Sequence, residues 1–297
     1  EMKAERQQKP LIPYGWVRAL LLFAAYLGLT VLINFLLPYL QTNAPAADPA
    51  QAQPSLLPYL YFIIAALVSF ALVWVFLRFI DRQPFSSIGL SMSDKGTDAL
   101  TALLLGIFLL CAGASVLFFT GQLRWTDNSF NGNELFISFG LLVIIALYEE
   151  VVFRGYVLNN LLNSVPRWPA IGISALAFTL AHVSNPSFAV LPLINILLAG
   201  VLLGINYSYT KNLWFSTCLH FAWNFMQGPV MGFQVSGLPF KSLLSHSLQG
   251  DEIVTGGKFG FEGSVVATAL YLLAIALLVW AYQRKKVIAA APVLQTK

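Results

Sequence analysis

Two adjacent carboxylates, two histidines, an asparagine and an arginine stand inside runs of apolar residues. Glu149 and Glu150 lie within Ala146-Leu147-Tyr148-Glu149-Glu150-Val151-Val152-Phe153-Arg154-Gly155, His182 ends Phe178-Thr179-Leu180-Ala181-His182, and a third run reads His220-Phe221-Ala222-Trp223-Asn224. At about 100° per helical residue Glu150 and Arg154 share a face, with the carboxylate on the N-terminal side, the better order for an ion pair. Glu149 points about 100° away and is left to face something else. The spacing of four also puts Phe178 with His182, and His220 with Asn224, on common faces.

These types suit the hydrolysis of an amide. Glu149 could act as a general base, taking a proton from water held between it and His182. Attack by the resulting hydroxide develops negative charge on the carbonyl oxygen, and an imidazole N–H from His220 with the amide of Asn224 would be suitable preorganised donors. Phe178, one turn before His182, reads as a packing residue. Two histidines and a carboxylate also make a catalytic zinc set, Glu149, His182 and His220, although no H-E-x-x-H helix is present and no ion is demanded. Cys218 falls about 200° around its helix from His220 and reads as packing. The third histidine, His246, reads as a solvated loop residue. The same buried groups could instead serve a proton or ion pathway, or Glu150 and Arg154 could only fix helix packing.

The elements that must position these groups are helices in a membrane. Of 297 residues 58% are hydrophobic and 10% charged, and the mean hydropathy is +0.72, whereas soluble domains carry about 25% charged residues. Ionisable groups in hydrocarbon cost several kcal/mol unless paired or hydrated, which makes the cluster a functional-site candidate. Eight apolar segments are expected, at about 15–39, 57–80, 98–120, 135–163, 168–184, 188–209, 212–229 and 263–283, against a requirement of about 20 residues per crossing. The fold class is all-α, a polytopic bundle with the site inside it. A transmembrane domain is expected over 15–283 with its motif core at 135–229, between a segment 1–14 and a basic tail 284–297.

Lys3, Arg6, Lys9, Arg82, Lys95, Arg167, Lys211 and Arg284 to Lys286 fall on one side, whereas Gln41 to Gln53 has no Lys or Arg. The excess of cations places both termini in the cytoplasm. Arg124, Lys241 and Lys258 dissent. The net charge of +4 is not gathered into a run, so nucleic acid is not an expected partner. Ala44 to Ala47 offers a small-residue cleavage site, but the apolar run before it is too long for a signal peptide. Gly200 and Gly204 would let a neighbouring helix approach, within the chain or between chains. The Gly-rich stretch Thr255 to Ser264 reads as a loop folding back at the outer mouth, and Pro84 to Leu90 as a turn on the cytoplasmic side.

In this order on successive segments, Glu149-Glu150-x-x-Phe153-Arg154-Gly155, Phe178-x-x-x-His182 and His220-x-x-x-Asn224 resemble the CAAX-protease and bacteriocin-processing (CPBP, Abi) family of intramembrane proteases. Its eukaryotic relatives remove the last three residues from prenylated proteins. The motifs span roughly a quarter of the chain. The resemblance implies that Glu149 is the catalytic base with His182, that His220 and Asn224 form the oxyanion site, and that Arg154 orders the acidic pair through Glu150, with Phe178 beside them. It implies a membrane-associated peptide or protein substrate, a CAAX-type terminus or a leader peptide, entering from the bilayer or its cytoplasmic face. The family has been described both as metalloproteases and as metal-free glutamate hydrolases; the second suits these residues, so no cofactor is expected and zinc is the alternative. A bacterial inner membrane is the expected location. The competing function is a non-catalytic scaffold or a proton-coupled carrier built on the same cluster.

Overall fold

The structure, a computed structural model, describes residues 9–42, 57–128 and 130–290. Lys3, Arg6 and the candidate cleavage site Ala44 to Ala47 lie outside the described residues. Among the described residues eight long helical rods follow one another: α1 (Gly15–Thr42), α2 (Leu57–Val75), α3 (Gly96–Phe119), α4 (Gly132–Glu150), α5 (Arg167–Ala181), α6 (Val190–Thr210), α7 (Trp214–Phe225) and α8 (Val265–Ala290). Six are long and apolar enough to cross a membrane, whereas α5 and α7 fall short of that length. Large apolar side chains such as Leu67, Leu104 and Phe108 are exposed on the outside of the bundle, as lipid contact requires. The molecule is an all-α, polytopic, integral membrane protein.

Three rods change pitch. α2 continues as a π-helical turn over Phe76–Asp81, α4 over Val151–Leu158, and α7 over Met226–Val230. The α-helical pitch expected through Arg154 therefore stops at Glu150, and π segments of this kind frequently occur at functional sites. Glycine sets two close helix crossings. A Cβ on Gly200 would lie 2.9 Å from Cα of Ala175, and one on Gly106 would lie 2.7 Å from Cβ of Ala222. The Gly200/Gly204 face is thus used within the chain, between α6 and α5.

The basic loops gather at one end of the bundle. Lys211 donates to Asn159 at 2.8 Å, the Arg167 guanidinium lies 3.8 Å from the centre of the Tyr209 ring, and Leu11 donates to the carbonyl of Ile80 at 2.7 Å. The Pro84 to Leu90 turn clamps this end. Its Ile88 carbonyl accepts from Tyr207 at 3.1 Å, Gly89 accepts from the backbone of Leu213 at 2.9 Å, and Leu90 accepts from the Trp214 indole at 2.9 Å.

At the opposite end, β1 (Leu123–Asn128) and β2 (Leu244–Leu248) form an antiparallel ladder that the apolar patterning does not announce. This ladder corrects the expectation for His246. Its Nδ1 meets the Met231 carbonyl at 3.1 Å, and its ring centre lies 4.4 Å from that of Phe233 and 6.1 Å from that of Trp125. Register places it opposite Trp125, so it is packed rather than freely solvated. Burial pushes its pKa down.

Candidate active site

Glu149 and Glu150 close the α-helical part of α4, and both are buried. Glu150 Oε1 accepts from Arg154 Nη1 at 2.7 Å, and Arg154 Nη2 donates to the Gly200 carbonyl at 3.1 Å. The guanidinium also lies 4.6 Å from the centre of the Phe178 ring, so this cation is held on three sides. A buried arginine needs such partners, because an unpaired buried charge is strongly unfavourable.

The same Glu150 Oε1 lies 3.1 Å from His220 Nδ1, a contact between α4 and α7 beyond the expected Glu150–Arg154 pair. On α5, His182 Nδ1 lies 2.8 Å from the Phe178 carbonyl. Neither acceptor, carboxylate or carbonyl, carries a hydrogen, so each Nδ1 is the protonated nitrogen. Both rings are therefore fixed with Nε2 turned to Glu149, whose Oε2 lies 3.9 Å from His182 Nε2 and 3.8 Å from His220 Nε2.

Those separations exceed a direct hydrogen bond, and polar atoms so placed commonly share a water. Glu149 Oε1 accepts from Tyr148 at 3.4 Å, whereas Oε2 is buried and has no hydrogen-bond partner. This oxygen lies between two imidazoles, and a buried polar atom so placed calls for a partner. Among the described residues no three His, Cys, Asp or Glu side chains are arranged as a set able to hold a metal ion. Glu149, His182 and His220 are the residues that would have to close around one.

Glu149, His182, His220, Asn224 and Phe178 all line one cavity of about 420 Å³. Leu202 and Leu219 also line it, together with Tyr26 and Tyr61 of α1 and α2. Ser184, Asn185, Ser236 and Phe240 are also in its lining. Glu150 and Arg154 are not among the lining residues.

Several contributors escaped the motif reading. Tyr148 holds the second oxygen of Glu149, and Gly200 supplies a carbonyl to Arg154. Glu262, from the loop before α8, is buried in the cavity wall. Asn195 positions that loop, its amide donating to the carbonyls of Glu262 and Ser264 at 2.7 and 2.8 Å. Phe153 and Gly155 of the extended motif prove to be packing residues. Phe153 lies edge-on to Phe178 and Tyr26, and a Cβ on Gly155 would come within 3.2 Å of Ile88.

Residues 131–226 match the family model described as Rce1-like, the type II CAAX prenyl endopeptidases. This match agrees with the resemblance to the CPBP family that the motifs carry. The matched stretch holds Glu149, Glu150, Arg154, Phe178, His182, His220 and Asn224. Elements outside it, including α1, α2 and the Glu262 loop, also contribute to the walls of the cavity. No curated protein matches the chain. The matched stretch is about a third of the chain, and with the membrane-spanning helices it makes the chain similar to a family of membrane proteases.

Proposed function

We propose that the protein is an intramembrane endopeptidase that cuts a peptide bond of a membrane-associated substrate, a prenylated CAAX-type terminus or a leader peptide, with water activated by Glu149 and His182. The observation that carries this reading is the buried, unpartnered Oε2 of Glu149 facing two imidazole Nε2 atoms across 3.8–3.9 Å. A water there can hydrogen-bond to Glu149 Oε2 and to His182 Nε2. Glu149 takes its proton, and hydroxide attacks the carbonyl carbon of a peptide laid along the cavity. Negative charge then grows on the carbonyl oxygen. Asn224 donates to it from its amide, and His220, held at Nδ1 by Glu150, donates from Nε2 as the imidazolium. Collapse of the tetrahedral intermediate breaks the C–N bond, with Glu149 returning the proton to the leaving amine.

Glu150 and Arg154 act behind the lining by fixing the His220 ring, and Phe178 packs between Arg154 and the histidines. The excess of cations at the end that carries Arg82, Arg167 and Lys211 supports a cytoplasmic position for both termini. A bacterial inner membrane is the proposed setting.

The direct test uses purified protein in nanodiscs with a farnesylated CAAX peptide and a leader-type peptide, each assayed with and without a chelator. Cleavage of either one by the wild type, its loss in Glu149→Gln and its persistence in chelator are the expected results. Loss in chelator with recovery on adding zinc would replace the metal-free reading by one in which Glu149, His182 and His220 hold the ion and zinc acidifies the attacking water.

A further inference from the structure

Away from the cavity, the end of the bundle that gathers the basic loops holds two cations without a carboxylate partner. The Arg167 guanidinium lies 3.8 Å from the centre of the Tyr209 ring, and that ring is stacked on Tyr282 with centres 4.4 Å apart. Lys211 Nζ donates to Asn159 Oδ1 at 2.8 Å and lies 5.7 Å from the centre of the Tyr207 ring. Among the described residues neither cation forms an ion pair with an Asp or Glu. Asp98, at the start of α3, pairs with Lys95 at 3.7 Å instead. The two cations act on each other, because burial and the charge of Arg167 together push the Lys211 pKa down to about 8.

Both side chains have donors to spare. A guanidinium packed over a ring keeps its N–H fork at its own edge, and Arg167 donates no hydrogen bond among the described residues. Lys211 spends one of its three N–H donors on Asn159. A planar fork beside a point charge suits a phosphate group, whose oxygens can take two parallel bonds from arginine and a third from the ammonium.

The level of this pair along the bundle indicates where the phosphate comes from. Trp168 follows Arg167, and the backbone N–H of Trp16 donates to Ser164 Oγ at 3.1 Å in the α4–α5 connection. The two indoles are 49% and 48% exposed. Exposed tryptophans of membrane proteins concentrate at the headgroup level, where anionic lipids hold phosphate esters and attract Lys and Arg. We infer that Arg167 and Lys211 form a binding site for a phosphate ester, supplied by the headgroup of an anionic phospholipid, that joins the start of α5 to the end of α6. Neither residue lines the catalytic cavity, so the assignment does not rest on the peptidase reading.

The test exchanges the full-length protein into an uncharged maltoside detergent and counts bound lipid by native mass spectrometry during titration with phosphatidylglycerol or phosphatidylcholine. The choline cation offsets the phosphate charge in the second lipid. Phosphatidylglycerol should bind about 25-fold more tightly, about fivefold for each of two cations at the interface. Lys211→Gln should leave a ratio of about fivefold, and Arg167→Gln combined with Lys211→Gln a ratio near one. Lys211 is exposed, so its single variant decides the matter even where the double variant does not fold. Arg82→Gln, which removes a cation of the same end outside the pair, should keep the wild-type ratio. Inorganic phosphate, which has no acyl chains to bury, should displace the lipid only in large excess. Equal binding of the two lipids by the wild type, a ratio unmoved by Lys211→Gln, or the same loss in Arg82→Gln would each overturn the inference. Displacement by an equal concentration of inorganic phosphate would overturn the assignment to a lipid.

Discussion

Oε1 of Glu150 is shared by two side chains from distant parts of the chain, Arg154 at 2.7 Å and His220 at 3.1 Å. One buried carboxylate oxygen thereby ties the π segment of α4 to α7, and orients the imidazole that faces Glu149. Removing Arg154 leaves Glu150 buried without its cation. Arg154→Met should cost about 3–5 kcal/mol, the scale for breaking a buried pair from one side, read as a lowered Tm in detergent. Arg154→Lys should recover only part of this, because a single ammonium cannot reproduce the forked contacts to Glu150 and the Gly200 carbonyl. Full recovery by lysine would show that charge alone matters there.

Asn224→Ala keeps α7 intact and removes one proposed oxyanion donor. Its kcat should fall about 10²–10³-fold with little change in KM, since the donor acts on charge present only in the transition state. A change confined to KM would assign Asn224 to substrate binding instead.

Gly200 joins packing to the site, because its missing side chain admits Ala175 and its carbonyl receives Arg154. Gly200→Ala should destabilise the fold by about 1–3 kcal/mol through overpacking and lower activity by moving that carbonyl. Thermal denaturation together with kcat/KM checks both effects. An unchanged Tm would mean that α5 and α6 can separate freely at this crossing.

The ladder end should be sensitive to acid. His246 has its folded-state pKa lowered by burial, so the unfolded segment takes up a proton that the packed ring refuses. Stability rises with pH wherever the unfolded state binds more protons. The loop is therefore fully stable above the ordinary histidine value of about 6.5 and loses stability as pH falls from there toward the lowered folded value. Hydrogen exchange over residues 231–248 at pH 7.5 and pH 5 should show faster opening at the lower pH, and His246→Phe should remove the difference. Equal exchange at both pH values in the wild type would refute this.

The parts of the site legible in the sequence are those carried by misplaced polarity. Glu149, Glu150, Arg154, His182, His220 and Asn224 interrupt apolar runs, and helical spacing alone assigns their faces. The short lengths of α5 and α7 were also visible as residue counts. Backbone contributions left no such trace: the carbonyls of Gly200 and Phe178 depend on how helices cross, which spacing within one helix does not determine. The switch to π pitch after Glu150 has no compositional marker. Residues of the ladder, Leu123–Asn128 and Leu244–Leu248, lie far apart in the chain and their apolar alternation lasts only a few residues, so the packing of His246 between Trp125 and Phe233 was hidden. Glu262 did leave a signal, a lone carboxylate next to Phe259 and Phe261 in a loop otherwise rich in glycine.

The central claim is that Glu149 activates water to cut a membrane substrate. The most direct measurement compares new protein termini, by mass spectrometry, in host membranes that contain matched amounts of the wild type or of Glu149→Gln. Termini present only with the wild type are the predicted result, and they identify the substrate and the bond cut. Indistinguishable sets of termini, with the wild-type phenotype retained in Glu149→Gln, would contradict the account.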